Sequence, residues 1–443
     1  MAVQIGYADS YLHLHALFRR FIIGGGIVPE AGGVPPCVGN TGNGTVTRIF
    51  GTTATVTETW TLTFTSPTAF NVVGSVSGSA AAGTVGTPYT NTWIEFKVVA
   101  GTSAFVSGDT FTIVMTRNPL IIAGDQWKIE SEAGVEIQDA QLLLQAPGVT
   151  GLDTTPLNYF GVDPILTSFV PGFRIISCTA YSAGNTFYTQ VGYSGANSPC
   201  LTVWEFKMKY WFIASRNRFI IIVRVYDKYF VASAGILSAY ATVAQWGQCH
   251  YVAGNIYTPT NWNSYNGTMG NFPGGSSAGV GNSNSFMRIL RPDNIWAPVN
   301  NFFTGGNLSW SIETTADCIA VWPWSERVNS PTAGAPQAAL VGPIWKWMVE
   351  GPEVAGGTFP LLPVQYYRRE GASQAIYGTV EGVYATTGGW LANVKNVGDV
   401  TGVTNPIQLA NEDIITAGSD QYLAVPLCHQ GRLRGLWAAF KLS

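Results

Sequence analysis

Residues 201–226, LTVWEFKMKYWFIASRNRFIIIVRVY, constrain this chain more than any other stretch. From 203 to 212 large apolar and aromatic residues interleave with chargeable ones, and 219–226 are β-branched and aromatic, so two strands are expected. Ser215-Arg216-Asn217-Arg218 between them is a polar turn, which makes the segment a β-hairpin. Trp204, Phe206, Trp211, Phe219, Ile221 and Val223 supply enough apolar area to seed a core. Each such side chain contributes about 1.5–3 kcal/mol when buried.

A second strand signal lies at 55–64, TVTETWTLTF, where Thr alternates with apolar residues except at Glu58. That period of two describes a strand with one face buried and one face wet. Further short strands are expected at 70–76, 93–98 and 110–115, with Ser107-Gly108-Asp109 as a turn, so 45–117 reads as a compact antiparallel sandwich. Ahead of it, 9–23 is a helix capped by Asp9 or Ser10, with Tyr11, Leu14, Leu17, Phe18 and Phe21 along one face and Gly24-Gly25-Gly26 as its stop. Beyond 118, strands are expected at 127–130, 172–180, 286–290, 308–313, 318–321, 377–384, 421–426 and 435–442. The expected fold class is mainly β: antiparallel β-sandwich domains with an N-terminal α-helix. The expected divisions are 1–44 (helix and connector), 45–117 (inserted sandwich) and 118–443 (main β-rich domain).

With 443 residues the chain exceeds the ~250–300 at which single cores stop growing, so more than one core is expected. Charged residues make up 11% of it, against about 25% in ordinary soluble domains. Thr, Ser, Asn and 51 glycines take their place, a mixture suited to sheets, turns and close subunit contact. This favours an assembly component over a diffusing enzyme. The net charge of −3 offers no electrostatic handle for nucleic acid. The densest apolar run, 219–223, stops at Arg224, far short of the ~20 residues of a membrane helix, so no membrane insertion is expected. Arg19 and Arg20 sit where a signal peptide would be apolar, so synthesis in the cytoplasm without a signal peptide is expected.

No constellation singles out chemistry. Cys37, Cys178, Cys200, Cys249, Cys318 and Cys428 contain no C-x-x-C pair and read as isolated thiols. His13 and His15 are two apart and face different sides of a helix. Gly275-Ser276-Ser277-Ala278-Gly279 matches a nucleophile elbow only in letters, because more Gly and Ser flank it. Cys249-His250 and Cys428-His429 are neighbours, which in strands point to opposite faces. Asp227, Asp293, Glu313 and Asp317 lie near aromatics, as in a glycosidase, but no spacing marks a pair. No enzymatic activity, catalytic residue, cofactor or metal is expected. The candidate interface residues are Tyr11, Phe18 and Phe21 on the helix, with Trp262 and Tyr265 in the long Asn-, Ser- and Gly-rich tract 255–284.

Several landmarks together resemble a group of tailed-bacteriophage virion structural proteins. They are Lys209-Tyr210-Trp211-Phe212 with Asn217-Arg218-Phe219-Ile220-Ile221-Ile222 and Val225; Glu381-Gly382-Val383-Tyr384; Asn411-Glu412-Asp413-Ile414-Ile415; Leu436-Trp437-Ala438-Ala439-Phe440; and the helix running from Tyr11 to Phe21 into its Gly-rich turn. The chain departs from that pattern at 238–246, which has no Pro. The resemblance implies a non-enzymatic virion component, present in many copies in the tail or baseplate. Its partners would be copies of itself and other virion proteins. The alternatives are a receptor- or carbohydrate-binding tail protein gripping a host surface glycan, and a capsid or neck decoration protein.

Overall fold

The computed structural model describes residues 1–23, 37–52, 54–115, 127–134, 139–147, 158–166, 171–195, 199–203, 205–226, 228–238, 249–256, 285–290, 296–299, 319–322, 361–368, 376–387, 411–426 and 436–443. It is mainly β, with antiparallel sheets and one N-terminal helix, as expected. The chain opens with strand β1 (Ala2–Ala8) and helix α1 (Tyr11–Ile22). It divides into two compact units, a smaller one of Leu12–Pro147 and a larger one of Met1–Tyr11 with Gly148–Ser443.

The smaller unit contains β2 (Thr45–Gly51), β3 (Glu58–Phe64), β4 (Ala69–Gly74), β5 (Gly78–Thr84), β6 (Pro88–Thr90), β7 (Ile94–Val99), β8 (Thr110–Met115), β9 (Lys128–Ala133) and β10 (Gln141–Gln145). One sheet runs β2-β7-β6 and another β5-β4-β3-β8. Their inward residues form one core that includes Trp60, Leu62 and Phe64 from β3, Phe96 and Val98 from β7, and Phe111 and Ile113 from β8. The two sheets facing each other across this core make an antiparallel sandwich. Within it, Phe64 stacks on Phe105 at 4.0 Å and meets Phe70 and Phe111 at 5.5 and 6.0 Å.

Glu58, the misfit in the alternation, is explained by its neighbours. Its buried carboxylate accepts from the Val76 and Ser77 amides at 3.0 and 2.9 Å and from the Ser77 hydroxyl at 2.7 Å. It therefore ties down the turn between β4 and β5, where Gly78 adopts φ +77°.

The compact unit reaches beyond 45–117 on both sides because of contacts that local composition does not reveal. Arg19 on α1 is buried and pairs with Glu95 on β7 at 3.2 Å and with Glu132 on β9 at 2.7 Å. The Trp127 amide donates to the Ile22 carbonyl at 3.2 Å. Most of the helix and 127–147 thus belong to the same compact unit as the sandwich.

The larger unit contains β1 and β11 (Tyr159–Ile165), β12 (Gly172–Cys178), β13 (Pro199–Thr202), β14 (Met208–Ala214), β15 (Arg218–Val225), β16 (Lys228–Ile236), β17 (His250–Ile256), β18 (Ser285–Leu290), β19 (Trp296–Val299), β20 (Ile319–Trp322), β21 (Leu362–Arg368), β22 (Ile376–Thr387), β23 (Ile414–Ala417), β24 (Asp420–Pro426) and β25 (Leu436–Lys441). Its first sheet runs β1-β14-β15-β16-β17-β13-β12-β11, with β18 on β17 and β19 on β18; its second runs β20-β21-β22-β25-β24-β23. Trp211, Ile213, Ile220, Ile222, Tyr229, Val231 and Tyr251 of the first sheet share a core with Val364, Val380, Val383, Leu423, Val425 and Phe440 of the second. β17 has three partners: β16 along 250–253, β13 at 255–256 and β18 along 251–255. A strand has two edges, so β16 and β13 share one of them in succession.

The central hairpin forms as expected. Lys209 pairs with Arg224 and Ala214 with Phe219, and the Ser215 amide closes the turn on the Arg218 carbonyl at 2.8 Å. Its first strand begins at Met208 rather than 203, leaving Phe206 half-exposed. Trp204 lies outside the described residues. The second face of β15, carrying Phe219, Ile221 and Val223, is also fully buried, and Phe160 of β11 meets Phe219 edge-on at 6.3 Å. Burial on both faces removes the alternation that a one-sided strand shows.

Candidate functional site

Two surface features of the larger unit are built on the hairpin. At one end of the shared core, Glu412 from the segment leading into β23 accepts from Lys209 at 2.5 Å, from Arg224, and from the Tyr229 hydroxyl at 3.1 Å. Lys209 also lies over the Trp211 ring at 4.7 Å. Burial, the largest influence, pushes the Tyr229 hydroxyl up to about 12, so it stays a donor.

Glu412 holds a positive φ of 71°. Its amide donates to the Ala424 carbonyl at 3.0 Å, and the Ala424 amide donates to the Asp413 carbonyl at 2.8 Å. Two residues opposite one make a bulge whose first position usually takes Gly. A left-handed residue with a side chain costs roughly 1–2 kcal/mol, and the three donors to the carboxylate offset it. Lys209 and Glu412 come from two landmarks far apart in sequence, and this carboxylate joins them.

Beside this cap lies an aromatic ledge. Tyr226, in the turn between β15 and β16, has φ 54° and is 78% exposed. Phe206 meets it at 5.7 Å with planes at 61°. Lys207 lies over the Tyr7 ring at 5.8 Å. Val3 on β1 packs against the core, while Ile5 and Tyr7, further along the same face, are 53% and 55% exposed.

The smaller unit offers a surface of another kind. Among all residues of β3, β4, β5 and β8, only Glu58 is ionisable, and it is buried. The outer face is therefore neutral: Thr59, Thr61 and Thr63 flanked by Asn71 and Val73 on one side and by Thr110, Thr112 and Val114 on the other. Val73 and Val114 are 43% and 55% exposed.

The chemical candidates separate cleanly. Cys249 belongs to the shared core, whereas His250 faces the other way, with its Nδ1 3.1 Å from the Ser177 hydroxyl and its ring 5.9 Å from Phe160. Burial pushes His250 down to about 4 and pushes the thiols of Cys178, Cys200 and Cys249 up to about 12. His250 is therefore neutral at ordinary pH, and the three buried thiols stay protonated. Cys37 and Cys178 carry free thiols. Cys318, the Cys428-His429 pair, the Gly275-to-Gly279 motif and all four acidic candidates, Asp227, Asp293, Glu313 and Asp317, lie outside the described residues. Among the described residues no group of three or more His, Cys, Asp and Glu is placed to hold a metal ion, and no helix is long and apolar enough to cross a membrane.

Of the expected interface residues, Phe18 and Phe21 are fully buried and Tyr11 is 5% exposed. The Tyr11 ring packs 6.2 Å from Phe173 of β12. The apolar stripe of the helix is thus consumed within the chain itself and is not offered to a neighbour. Trp262 and Tyr265 lie outside the described residues. Ile5, Tyr7 and Tyr226 escaped the sequence reading. The alternation in AVQIGYA (2–8) was the available signal for the first two, but a short strand ahead of a strong helix is easily read as its lead-in. Neither a protein-family model nor a curated protein sequence matches the chain.

Proposed function

We propose that this chain is a non-enzymatic structural component of a tailed-phage virion, assembling in multiple copies in the tail or baseplate through its β domains. The observation that carries this reading is the neutral outer face of β3, β4, β5 and β8, with Val73 and Val114 open on it. Surfaces of freely diffusing domains normally intersperse charges of both signs. An uncharged sheet face desolvates at low cost and packs against a neighbour, and symmetry multiplies a modest contact. The resemblance of the hairpin, Glu412 and 436–440 landmarks to virion proteins supplies the setting. Synthesis in the host cytoplasm and residence in the virion belong to the same reading.

The test is cryo-electron microscopy of particles carrying the full chain, with and without Thr61→Lys and Thr63→Lys. The unaltered chain is expected at a symmetric station, and the variant is expected to fold but fail to incorporate. Particles that lack the chain, or that incorporate the variant equally well, would overturn the proposal. The same hydroxyl-rich, uncharged face favours one second reading, a module that binds a host glycan by hydrogen bonds from Thr and Asn. A glycan array probed with the full chain decides it: binding lost in the Thr61→Lys, Thr63→Lys variant would move the assignment there.

A further inference from the structure

β1 is the terminal strand of the first sheet of the larger unit. One edge pairs with β14 without interruption from Ala2 opposite Ala214 to Ala8 opposite Met208, and no described strand pairs with the other. Sheet edges are ordinarily guarded by charge, proline or a bulge. β1 has none of these: AVQIGYA is uncharged and its register does not shift. It is also held firmly in place. The Gln4 side chain donates to the Tyr210 hydroxyl at 3.0 Å, and Gly6 lies against the same ring, where a Cβ would come within 2.6 Å of the hydroxyl oxygen. Among the described residues this regular strand therefore presents an unpaired row of backbone donors and acceptors, flanked by exposed Ile5 and Tyr7.

We propose that β1 pairs antiparallel with β1 of a second copy of this chain about a two-fold axis at Ile5, joining two sheets into one. Such a contact is self-complementary. Ile5 meets Ile5 of the second copy, and Val3 and Tyr7 meet each other twice, so the two exposed apolar side chains are covered in both copies. The match of exposed Ile5 and Tyr7 to apolar Ile5 and Val3 of the second copy fits this occupant, and charge does not oppose it. The ribbon itself carries none, and the cation beside it, Lys207 over Tyr7, lies at the far end of β1 from the axis. The two Tyr7 positions stand about 13 Å apart along the ribbon, at ~3.3 Å per residue. That exceeds the ~8 Å screening length at physiological salt. The inference is independent of the proposed function, because a sheet-joined dimer serves a virion component and a glycan-binding module equally.

The experiment measures the mass of the full chain across a concentration series by sedimentation equilibrium, for the unaltered protein, Ile5→Lys, Ile5→Glu and an equimolar mixture of the two variants. Ile5 is already half-exposed, so both variants are expected to keep the fold, checked by far-UV circular dichroism and thermal melting. The unaltered chain should dimerise. Each variant alone places like charges on the axis and should weaken dimerisation by at least roughly tenfold. The mixture should restore it, because Lys then meets Glu. A monomer throughout, dimerisation indifferent to both substitutions, or failure of the mixture to recover would each overturn the proposal.

Discussion

β3 and β15 are interior strands of their sheets, one in each unit, and they meet water differently. β3 alternates buried Trp60, Leu62 and Phe64 with Thr59, Thr61 and Thr63, which are at least partly open to solvent. β15 is fully buried from Phe219 through Val223, on both faces. The smaller unit thus has sheets with one dry side, and the larger unit sandwiches its hairpin between two apolar layers. The buried arginines repeat the contrast. Arg19 in the smaller unit is paired with two carboxylates. Arg218 in the larger is fully buried, and among the described residues its Nη2 donates to the Met1 sulfur at 3.5 Å while Nε and Nη1 find no hydrogen-bond acceptor. Gly382, at φ +67°, lies over that guanidinium at 3.1 Å from the position of a Cβ. Among the described residues, buried Arg19 thus meets two carboxylates, whereas buried Arg218 meets a thioether.

The largest effect expected from this contrast is at the arginines. Arg19→Met should cost about 3–5 kcal/mol, because it strands the Glu95 carboxylate in the interior. Arg218→Met, which strands no carboxylate among the described residues, should fall within about 1 kcal/mol of the unaltered protein or gain stability. Urea unfolding followed by hydrogen exchange resolves the two units, and equal losses would break the comparison.

Next come the strands. Ile220→Ala and Ile221→Ala, on opposite faces of β15, should each cost about 2–5 kcal/mol, as should Leu62→Ala in β3. Thr61→Ala, beside Leu62, should stay within about 0.5 kcal/mol. If Ile220 and Ile221 differed as Leu62 and Thr61 do, one face of β15 would not be the packed layer described here.

Acid should separate the units as well. His250 is held down at about 4 by burial, below its ordinary 6.5, so its contribution is present above pH 6.5 and is lost as the pH falls towards 4. That loss is on the order of 3 kcal/mol. In the smaller unit, burial alone would raise Asp109. The Thr41, Gly42 and Val106 amides, at 2.9, 2.9 and 3.0 Å, outweigh it and hold the carboxyl below its ordinary value. Its contribution is lost only as the pH drops below about 4. Burial holds Glu95 above its ordinary value against the pull of Arg19, which favours the folded smaller unit as pH falls. Hydrogen exchange between pH 6.5 and 4 should show the larger unit loosening first, and His250→Gln should flatten that response.

Glu58→Gln should cost less than those core truncations. It removes the charge from a group that accepts three hydrogen bonds, and it should cost about 1–3 kcal/mol in thermal unfolding of the smaller unit.

The hairpin was legible in sequence because its turn and both of its strands are contiguous, and the same holds for β8 and β12, which lie within two residues of the expected strands, and for β3, which starts three residues later than expected. β5, GSAAAGT, carries no strand propensity and exists because β4 supplies its partner. β16 was hidden for a related reason: it reads as a drift into small residues, and only the register of Arg218 through Val225 against Gly235 through Lys228 makes it a strand. The candidate site was less legible still. The stripe of Tyr11, Phe18 and Phe21 correctly identified a helix with an apolar face but carried no information about what covers it. Glu412 stood among quoted landmarks without a role, because its three donors come from residues about two hundred positions earlier.

By itself the sequence determined what depends on neighbours along the chain: the hairpin, the wet and dry faces of β3, the helix, and a composition poor in charge. Only the tertiary structure decided which of those surfaces remained open. α1 lost its face to the interior while β1 kept its edge, Glu58 and Glu412 became clamps, and Arg19 carried its helix into the smaller unit. The reason is physical: periodicity and turn chemistry are local properties of the backbone, whereas burial is shared between partners brought together only when the chain closes on itself.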